Sequence, residues 1–316
     1  MPKLSNPHHG SLQFWPRKRA EKILPSVNWK VIKGKEKTSG ILGFVAYKVG
    51  MGTAVVKDNT EHSMTKGKKI VLPVTILESP NMKIFSVRFY KNGIVAKDVI
   101  VSNDKELKRL VRVPKQIPAF DSQVPKEYDD VRVIAYSLPG QTNVKKTPDM
   151  IELAVNAENK LEFVKSIIGK EIALKDFLHY DLIDVRGLTI GKGLVGTVKR
   201  FRINLKQHKT EKGVRRPGSL GPWHPARVTF VTPMAGQLGM FTRVHYNFKV
   251  VSSSSISEKN INPGSGFTHY GKIKSNYIIV AGSVQGPAKR QVLLTPSFRP
   301  TKKTAKKKYE MQELVV

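Results

Sequence analysis

Residues 213–228, GVRRPGSLGPWHPARV, combine side chains that could contact a polyanion with a backbone that excludes regular structure. Three glycines and three prolines rule out a regular helix or a long strand here. A guanidinium group can bind phosphate through paired hydrogen bonds, and an indole ring can stack on a base. The side chains with this chemistry are Arg215, Arg216, Trp223, His224 and Arg227. The segment therefore predicts phosphate contacts made by an irregular loop.

A second cluster, GKGLVG at 191–196, matches the pattern G-x-G-x-x-G and follows the strand-like text LIDVRGLTI. A dinucleotide site needs a helix that begins within the glycines, whereas the following TVKRFRIN is β-branched, alternating and basic. We therefore expect no dinucleotide and no other cofactor. A glycine-rich backbone close to phosphate is favoured over a flexible turn, and the cations beside it are Lys192, Lys199, Arg200 and Arg202.

Two further segments have the same character. In SLQFWPRKRA (11–20), Arg17, Lys18 and Arg19 predict RNA contacts, while Phe14 and Trp15 could equally stack on bases or anchor the segment on its own domain. In PMAGQLGMFTR (233–243), two glycines allow a tight backbone beside polar side chains. The residues concerned are Gly236, Gly239, Gln237 and Arg243, with Met234, Leu238 and Met240 as alternative core residues.

Residue types that perform catalysis or bind metal are poorly placed. The chain has no cysteine, and its eight histidines show no recognisable ligand spacing, so we expect no metal site. The basic region holds no paired carboxylates and no G-x-S-x-G elbow. An enzyme is therefore not expected.

Charge dominates the composition of this 316-residue chain, which has 55 Lys and Arg against 24 Asp and Glu, a net charge of +31. Such a chain repels itself unless a polyanion neutralises it, and nucleic acid is the leading candidate. No apolar run approaches the roughly 18 residues of a membrane-spanning helix, and the N-terminus lacks the apolar core of a signal peptide. We expect an intracellular protein with neither a membrane nor a small-molecule substrate as partner.

The charge is unevenly distributed. Residues 1–40 hold nine basic and two acidic residues, and residues 186–249 hold 13 basic residues and one acid, Glu211. Residues 92–165 hold 11 of the 24 acids and are nearly neutral. Together with the regular spacing of strand-like segments, this predicts a basic N-terminal extension (1–40), a body of strands that is a barrel or a sandwich (41–91 and 166–298) with an irregular finger at about 204–243, an inserted α+β module (92–165) and a mobile Lys-rich C-terminal tail (299–316).

Short segments rich in Val, Ile, Phe and Tyr predict strands, and two segments predict helices. The strand segments are ILGFVAYKVG, TAVVKD, KKIVLPVTILE, MKIFSVRFYKNG, VRVIAYSL, MIELAVNA, VHYNFKVV and SNYIIVAGSV. DKELKRL predicts one helix. ENKLEFVKSII predicts the other, with Leu161, Val164 and Ile168 on one face and Gly169 as its stop.

Taken together, the motifs resemble the family of ribosomal protein L3 of the large subunit, in its archaeal and eukaryotic form. RGLTIGKGLVGTVKRF, HKTEKGVRRPGSLGPWHPARV and AGQLGMFTR carry the resemblance, with HGSLQFWPRKRA, GFVAYKVGM and NPGSGFTHYGKIKSNYIIVAGSVQGPAKR beyond them. The resemblance implies a translation-protein-type β-barrel, a basic N-terminal arm and a long finger that enters large-subunit rRNA. It also implies that Trp223 and His224 lie at the finger tip, nearest the peptidyl transferase centre.

The predicted function is that of a structural, cytoplasmic ribosomal protein that binds rRNA and neighbouring ribosomal proteins and assembles early. To the cations already named, the prediction adds Lys209 as an rRNA contact. The glycines predicted to allow close approach are Gly191, Gly193, Gly196, Gly218, Gly221, Gly236 and Gly239. From the residues alone, a DNA-binding architectural protein and an RNA-modifying enzyme stay as alternatives.

Overall fold

A computed structural model of the chain describes residues 14–33, 39–142, 144–228 and 232–316. It divides into two compact units. We call residues 1–21 and 188–242 the loop unit, and residues 22–187 and 243–316 the sheet unit. Residues 1–13 and 34–38 of the predicted N-terminal extension lie outside the described residues.

The chain is mainly β, as predicted, with short helices between the strands. The strands are β1 Gly40–Ile41, β2 Phe44–Asp58, β3 Lys69–Ser79, β4 Met82–Lys91, β5 Ile94–Ile100, β6 Asp130–Ser137, β7 Met150–Asn156, β8 Leu182–Leu188, β9 Gly193–Val195, β10 Gly236–Leu238, β11 Thr242–Ser255, β12 Asn276–Ala281, β13 Gln291–Pro296 and β14 Tyr309–Val315. The helices are α1 Trp29–Lys33, α2 Phe120–Gln123, α3 Lys160–Ile167, α4 Leu174–Phe177, α5 Thr197–Phe201 and α6 Lys302–Ala305, with 3-10 turns at Lys105–Arg109 and Pro139–Gln141.

The larger sheet has the strand order β13-β8-β11-β12-β3-β2-β14. Strand β13 also pairs with β2, from Gln291↔Tyr47 to Leu294↔Phe44, so six strands form a closed circuit of hydrogen-bonded neighbours. Strand β14 pairs with the later part of the same edge of β2, from Tyr309↔Asp58 to Val315↔Thr53. A closed circuit leaves few strand edges open, which limits unwanted pairing with other chains.

A second sheet has the order β1-β7-β6-β4-β5. It contains β5, β6 and β7 of the nearly neutral region, and it also contains β4, which begins at Met82, before the expected boundary at residue 92. Helix α3 packs beside β6 and β7, with Val164 buried and its end followed by Gly169 at φ +79°. The predicted α3 and its glycine stop are therefore confirmed. The segment DKELKRL forms a 3-10 turn at Lys105–Arg109 instead of an α-helix.

The core of the sheet unit consists of aliphatic and aromatic side chains, and several strands, among them β12 and β13, are buried over consecutive positions. Phe44, Tyr47, Phe89 and Tyr277 are completely buried. Burial of one such side chain contributes on the order of 2 kcal/mol, so these rings are a large part of the driving force for folding. The described residues contain no helix that is long and apolar enough to cross a membrane.

Three local predictions need correction. FVAYKVG and TAVVKD lie in one strand, β2, and not in two, whereas Ile41 belongs to β1. The C-terminal tail is not mobile throughout, because Tyr309–Val315 is held by hydrogen bonds to β2 and buries part of Tyr309, Met311 and Leu314. Helix α5 follows the glycine turn despite the β-branched residues of TVKRF, since its side chains pack within the loop unit.

Candidate nucleic-acid interface

The frame of the loop unit is a short antiparallel ladder between the glycine turn and the AGQLG segment. Strands β9 and β10 pair from Gly193↔Leu238 to Val195↔Gly236. The amide of Lys192 donates to the carbonyl of Leu238 at 2.9 Å, and that of Thr189 donates to Phe241 at 3.0 Å. Two motifs that are far apart in the sequence thus form one structural element.

Three of the predicted close-approach glycines lie against other groups of the loop unit, and Gly239 is the one that backbone contact requires. A Cβ atom on Gly239 would lie 2.0 Å from the carbonyl oxygen of Ile190, and its φ of +77° disfavours any other residue. A Cβ on Gly191 would lie 2.8 Å from Met240, and one on Gly236 would lie 2.8 Å from the Arg200 guanidinium. These glycines therefore serve contacts inside the protein.

The other four glycines have no such internal reason for lacking a side chain. A Cβ on Gly196, Gly218 or Gly193 would meet nothing within 4 Å, and one on Gly221 would come no closer than 3.9 Å. Gly193 has a φ of +63°, which favours glycine on backbone grounds. At Gly196 and Gly218 neither packing nor backbone conformation within the described residues requires glycine.

Arg200, on α5, holds three separate segments together. Its Nε donates to the carbonyl of Gln237 at 2.9 Å, Nη1 to Met234 at 2.9 Å and Nη2 to Arg17 at 3.0 Å. Burial, and secondly the nearby charge of Arg17, lower the pKa of this guanidinium. A half-buried guanidinium that uses three of its nitrogens on carbonyls has little capacity left for phosphate.

The aromatic residue Trp15 stacks on Phe201, with ring centroids 5.5 Å apart and planes inclined by 20°. The Arg17 guanidinium lies 4.7 Å from the Phe201 centroid and 5.7 Å from that of Trp15, and its Nη1 donates to the carbonyl of Arg200 at 3.1 Å. Of the two interpretations of Trp15, the structure supports an anchor on the protein itself. Phe14, by contrast, is exposed.

Nine of the predicted RNA-binding cations have exposed side chains: Lys18, Arg19, Lys192, Lys199, Arg202, Lys209, Arg215, Arg216 and Arg227. Glu21 and Glu211 are the acidic residues of the loop unit. In its described part, none of these cations forms an ion pair with a carboxylate. The unit therefore presents concentrated positive charge that is free to attract a polyanion.

The remaining predicted residues are placed differently. Gln237 is half-buried and donates to the carbonyls of Leu238 and Gly239 at 3.0 and 3.1 Å. Arg243 was included in the predicted finger, but it lies on strand β11 in the sheet unit, and its carbonyl accepts a hydrogen bond from Gln285 at 3.1 Å. Of the alternative core residues, Met234 is exposed, whereas Leu238 and Met240 are half-buried.

Residues 202–228 contain no helix or strand, which agrees with the glycine and proline pattern. Few backbone hydrogen bonds form within this segment. In one of them the amide of Lys206 donates to the carbonyl of Val214 at 3.0 Å. The Trp223 side chain is 87% exposed, and His224 beside it is also exposed. An indole ring in this state gains nothing from folding and is available to a partner.

A shallow cavity of about 280 Å³ lies in the same unit. Its lining is mostly apolar and includes Val198, Pro217, Leu220 and Met234, together with Arg215 and Arg216. Apolar atoms beside two guanidinium groups can contact a nucleotide through both its base and its phosphate.

Sequence reasoning missed two residues of this unit. Phe201 forms the ring against which Trp15 and Arg17 pack, and Leu194 is 81% exposed on β9. The sequence TVKRF does not indicate that Phe201 packs inside the unit, because its stacking partner, Trp15, is about 190 residues away in the sequence.

Comparisons with known proteins point to one family. The family model described as ribosomal protein L3 matches residues 1–109 and 88–315. The large ribosomal subunit protein uL3 of Archaeoglobus fulgidus is 38% identical, over 95% of this chain and 94% of its own. The proteins of the same name from Methanococcus aeolicus and Methanocaldococcus jannaschii are 37% and 36% identical, each over 94% of this chain and 92% of their own.

The match extends over nearly the whole chain and includes both the sheet unit and the cation-rich loop unit. We conclude that this chain belongs to the ribosomal protein L3 family.

Proposed function

We propose that the chain is a structural protein of the large ribosomal subunit that binds large-subunit rRNA through the loop unit. One observation carries the proposal: nine exposed cations, none paired with a carboxylate among the described residues, lie in one unit on a backbone that is largely irregular. The names of the relatives, large ribosomal subunit protein uL3, support the same assignment.

The physical basis of binding is charge neutralisation. Each lysine or arginine that meets a phosphate releases condensed counterions, so affinity should fall steeply as salt concentration rises. Open positions such as Gly196 and Gly218 allow an RNA backbone to approach the main chain closely. Arg17 and Arg200 contribute indirectly, because they fix the segments that present the exposed cations.

Residues 204–243 form the finger in this proposal, and Trp223 with His224 is its tip. The support is the exposure of both side chains within residues 202–228, which contain no helix or strand. We assign the tip a position near the peptidyl transferase centre, where the indole ring would stack on or pack between nucleotides.

The rest of the architecture follows the same proposal. The closed circuit of six strands corresponds to the translation-protein-type barrel, residues 92–165 to a module inserted into it, and the N-terminal residues to a basic arm. Early participation in subunit assembly and contacts with neighbouring ribosomal proteins, in the cytoplasm, complete it.

Family membership supports this proposal against the two alternatives that the residues left open. The L3 family is a structural component of the ribosome and not a family of enzymes, which excludes the RNA-modifying enzyme. The DNA-binding architectural protein is disfavoured by the three relatives described above, which are named as proteins of the large ribosomal subunit.

The proposal is tested by a double variant, Arg215→Ala with Arg216→Ala, in the full-length chain. Binding to large-subunit rRNA is measured at several salt concentrations by filter retention. Loss of two phosphate contacts should reduce the slope of log affinity against log salt by about 1.5. The matched control is Arg112→Ala with Lys115→Ala, two exposed cations of the nearly neutral region, which should leave the slope unchanged. Equal effects of the two pairs would show that binding follows net charge and not the loop unit.

A further inference from the structure

An apolar patch lies on the outer face of strands β3, β2 and β14, in the sheet unit. Residues directly opposite each other in antiparallel strands point to the same face. Two adjacent rows cross the three strands on this face. They are Val71–Val55–Glu313 and Pro73–Thr53–Val315.

Several apolar side chains of these rows are exposed, whereas Val55, between Val71 and Glu313, is half-buried. Val71 is 65% exposed and Val315 is 53% exposed, and Met51 at the end of the patch is also exposed. Their neighbours along β2, Ala54 and Val56, point to the other face and are completely buried. The solvent face of an antiparallel sheet usually carries polar residues, so exposed valines on β3 and β14, on either side of β2, indicate a contact surface.

The charge of this patch differs from that of the loop unit. Glu310 and Glu313 are exposed on it, and Lys57 and Lys69 lie in the row opposite Glu310. Glu313 has no ion-pair partner within the described part of the chain. Two acids balance two lysines here, in a chain whose net charge is +31. A surface without net positive charge attracts a polyanion only weakly. A cationic protein segment, by contrast, can form an ion pair with Glu313.

The open edge of β14 is a poorer docking site than this face. A register shift between Met311 and Glu313 interrupts the regular ladder of β14. Bulges and charged residues at an edge hinder the addition of another strand. A partner therefore binds the side chains of the face and not the backbone of the edge.

We propose that this face binds a neighbouring protein of the large subunit, through a segment that carries apolar side chains and at least one lysine or arginine. The inference rests on the proposed function, since it takes the assembled large subunit as the setting. The apolar residues of the segment cover Val71 and Val315, and its cation pairs with Glu313.

A photocrosslinking amino acid, p-benzoylphenylalanine, tests the face when it replaces Val71 in chains that assemble in cells. Large subunits are purified and irradiated, and the crosslinked partner is identified by mass spectrometry. We expect one ribosomal protein as the product. The matched control replaces Met64, which is 96% exposed but lies in the loop between β2 and β3, and it should not give that product.

A third probe at Leu194, in the loop unit, separates this inference from the proposed function. Leu194 should crosslink to rRNA in the same particles. Suppose that the probe at position 194 crosslinks to rRNA while the probe at position 71 crosslinks to rRNA or gives no product. The protein-binding face is then disproved, and the proposed function stands. If the chain is absent from large subunits, both fail.

The charge argument is tested by Glu313→Lys in the background that carries the Val71 probe. Repulsion of a cationic segment should reduce the yield of the protein crosslink about fivefold, and Glu313→Gln should have a smaller effect. The rRNA crosslink from Leu194 should not change in either variant. An unchanged protein crosslink in the lysine variant would refute a cationic partner.

Discussion

Arginine has opposite environments in the five-stranded sheet and in the loop unit. In the sheet, Arg88 binds Asp98 at 2.7 Å and Glu152 at 3.0 Å, and Arg132 binds Glu152 at 2.8 Å. In the loop unit, Arg215 and Arg216 have no carboxylate partner among the described residues. Both regions are rich in basic residues. The number of neighbouring carboxylates therefore decides which cations stabilise the fold through ion pairs and which remain available to bind a partner.

Arg200 shows a third condition, since it is neither paired with an acid nor available. It donates to backbone carbonyls, which satisfy its hydrogen bonds but leave its charge in place. A loop unit with only two acids can therefore use an arginine as a structural clamp without neutralising itself. The loop unit therefore keeps its positive charge for a partner, while Arg200 still holds its segments together.

The largest effect is expected from Gly239→Ala, because the new Cβ would lie 2.0 Å from the carbonyl oxygen of Ile190. The clash and the strained positive φ together should destabilise the β9–β10 ladder by about 3 kcal/mol or more. Hydrogen exchange of the Lys192 amide, which donates to Leu238, should accelerate by more than about a hundredfold. Gly218→Ala is the control, and the free protein should not respond to it because that position is open. Similar exchange rates in the two variants would contradict the distinction between the two sets of glycines.

Glu152→Ala should have the next largest effect and should act on the sheet. Glu152 accepts hydrogen bonds from Arg88, Arg132 and Tyr90, at 3.0, 2.8 and 2.7 Å. Its removal leaves two half-buried arginines short of a carboxylate, at a cost of about 2 kcal/mol after allowance for solvent screening. Urea unfolding measures the loss. The control Glu127→Ala removes an exposed partner of Lys91 and should cost less than about 0.5 kcal/mol.

A smaller effect is expected from Arg200→Ala, which removes the clamp on residues 17, 234 and 237. A local loss of about 1.5 kcal/mol should increase the rate of tryptic cleavage at Lys18 and Arg19 about tenfold. Arg202→Ala, two residues away and exposed, should leave cleavage at those sites unchanged. Arg200→Lys should not restore protection, because an ammonium group cannot reach three carbonyls with a planar fork. Full protection in the lysine variant would mean that charge alone holds the segments.

The smallest effect concerns pH and follows from the location of the acids. Asp58 accepts hydrogen bonds from Thr60, Ser63 and Thr65, and these bonds hold the pKa of its carboxyl below the ordinary value. Since the folded pKa is depressed, this stabilisation is complete above the unfolded pKa of about 4 and is lost as pH falls through that value towards the folded pKa.

Asp58→Asn should therefore lower the urea midpoint at pH 7 by more than it does at pH 2.5. The loop unit holds two of the 24 acids, so exchange of the Lys192 amide, corrected for its intrinsic pH dependence, should respond little to the same acidification. An equal response of both units would contradict the comparison drawn here.

Local sequence signals predicted the regular elements well where neighbours in the chain decide the outcome. Helix α3 follows from the spacing of Leu161, Val164 and Ile168, and Gly169 ends it with a left-handed backbone. Strand β14 was missed because the register shift after Met311 breaks its alternation, and because its partner β2 is about 250 residues away. Helix α5 was missed because the packing of Phe201 outweighs the weak local preference of TVKRF.

The sequence by itself determined the family, the mainly β composition and the separation of a cation-rich region from a nearly neutral one. These follow from residue types and their order, which do not depend on distant contacts. Only the tertiary structure decided what each side chain contacts. Arg200 binds carbonyls while Arg215 is exposed. Gly239 is fixed by packing, whereas a side chain at Gly218 would meet no other atom. Identical residue types acquire different roles because the groups that surround them come from distant segments.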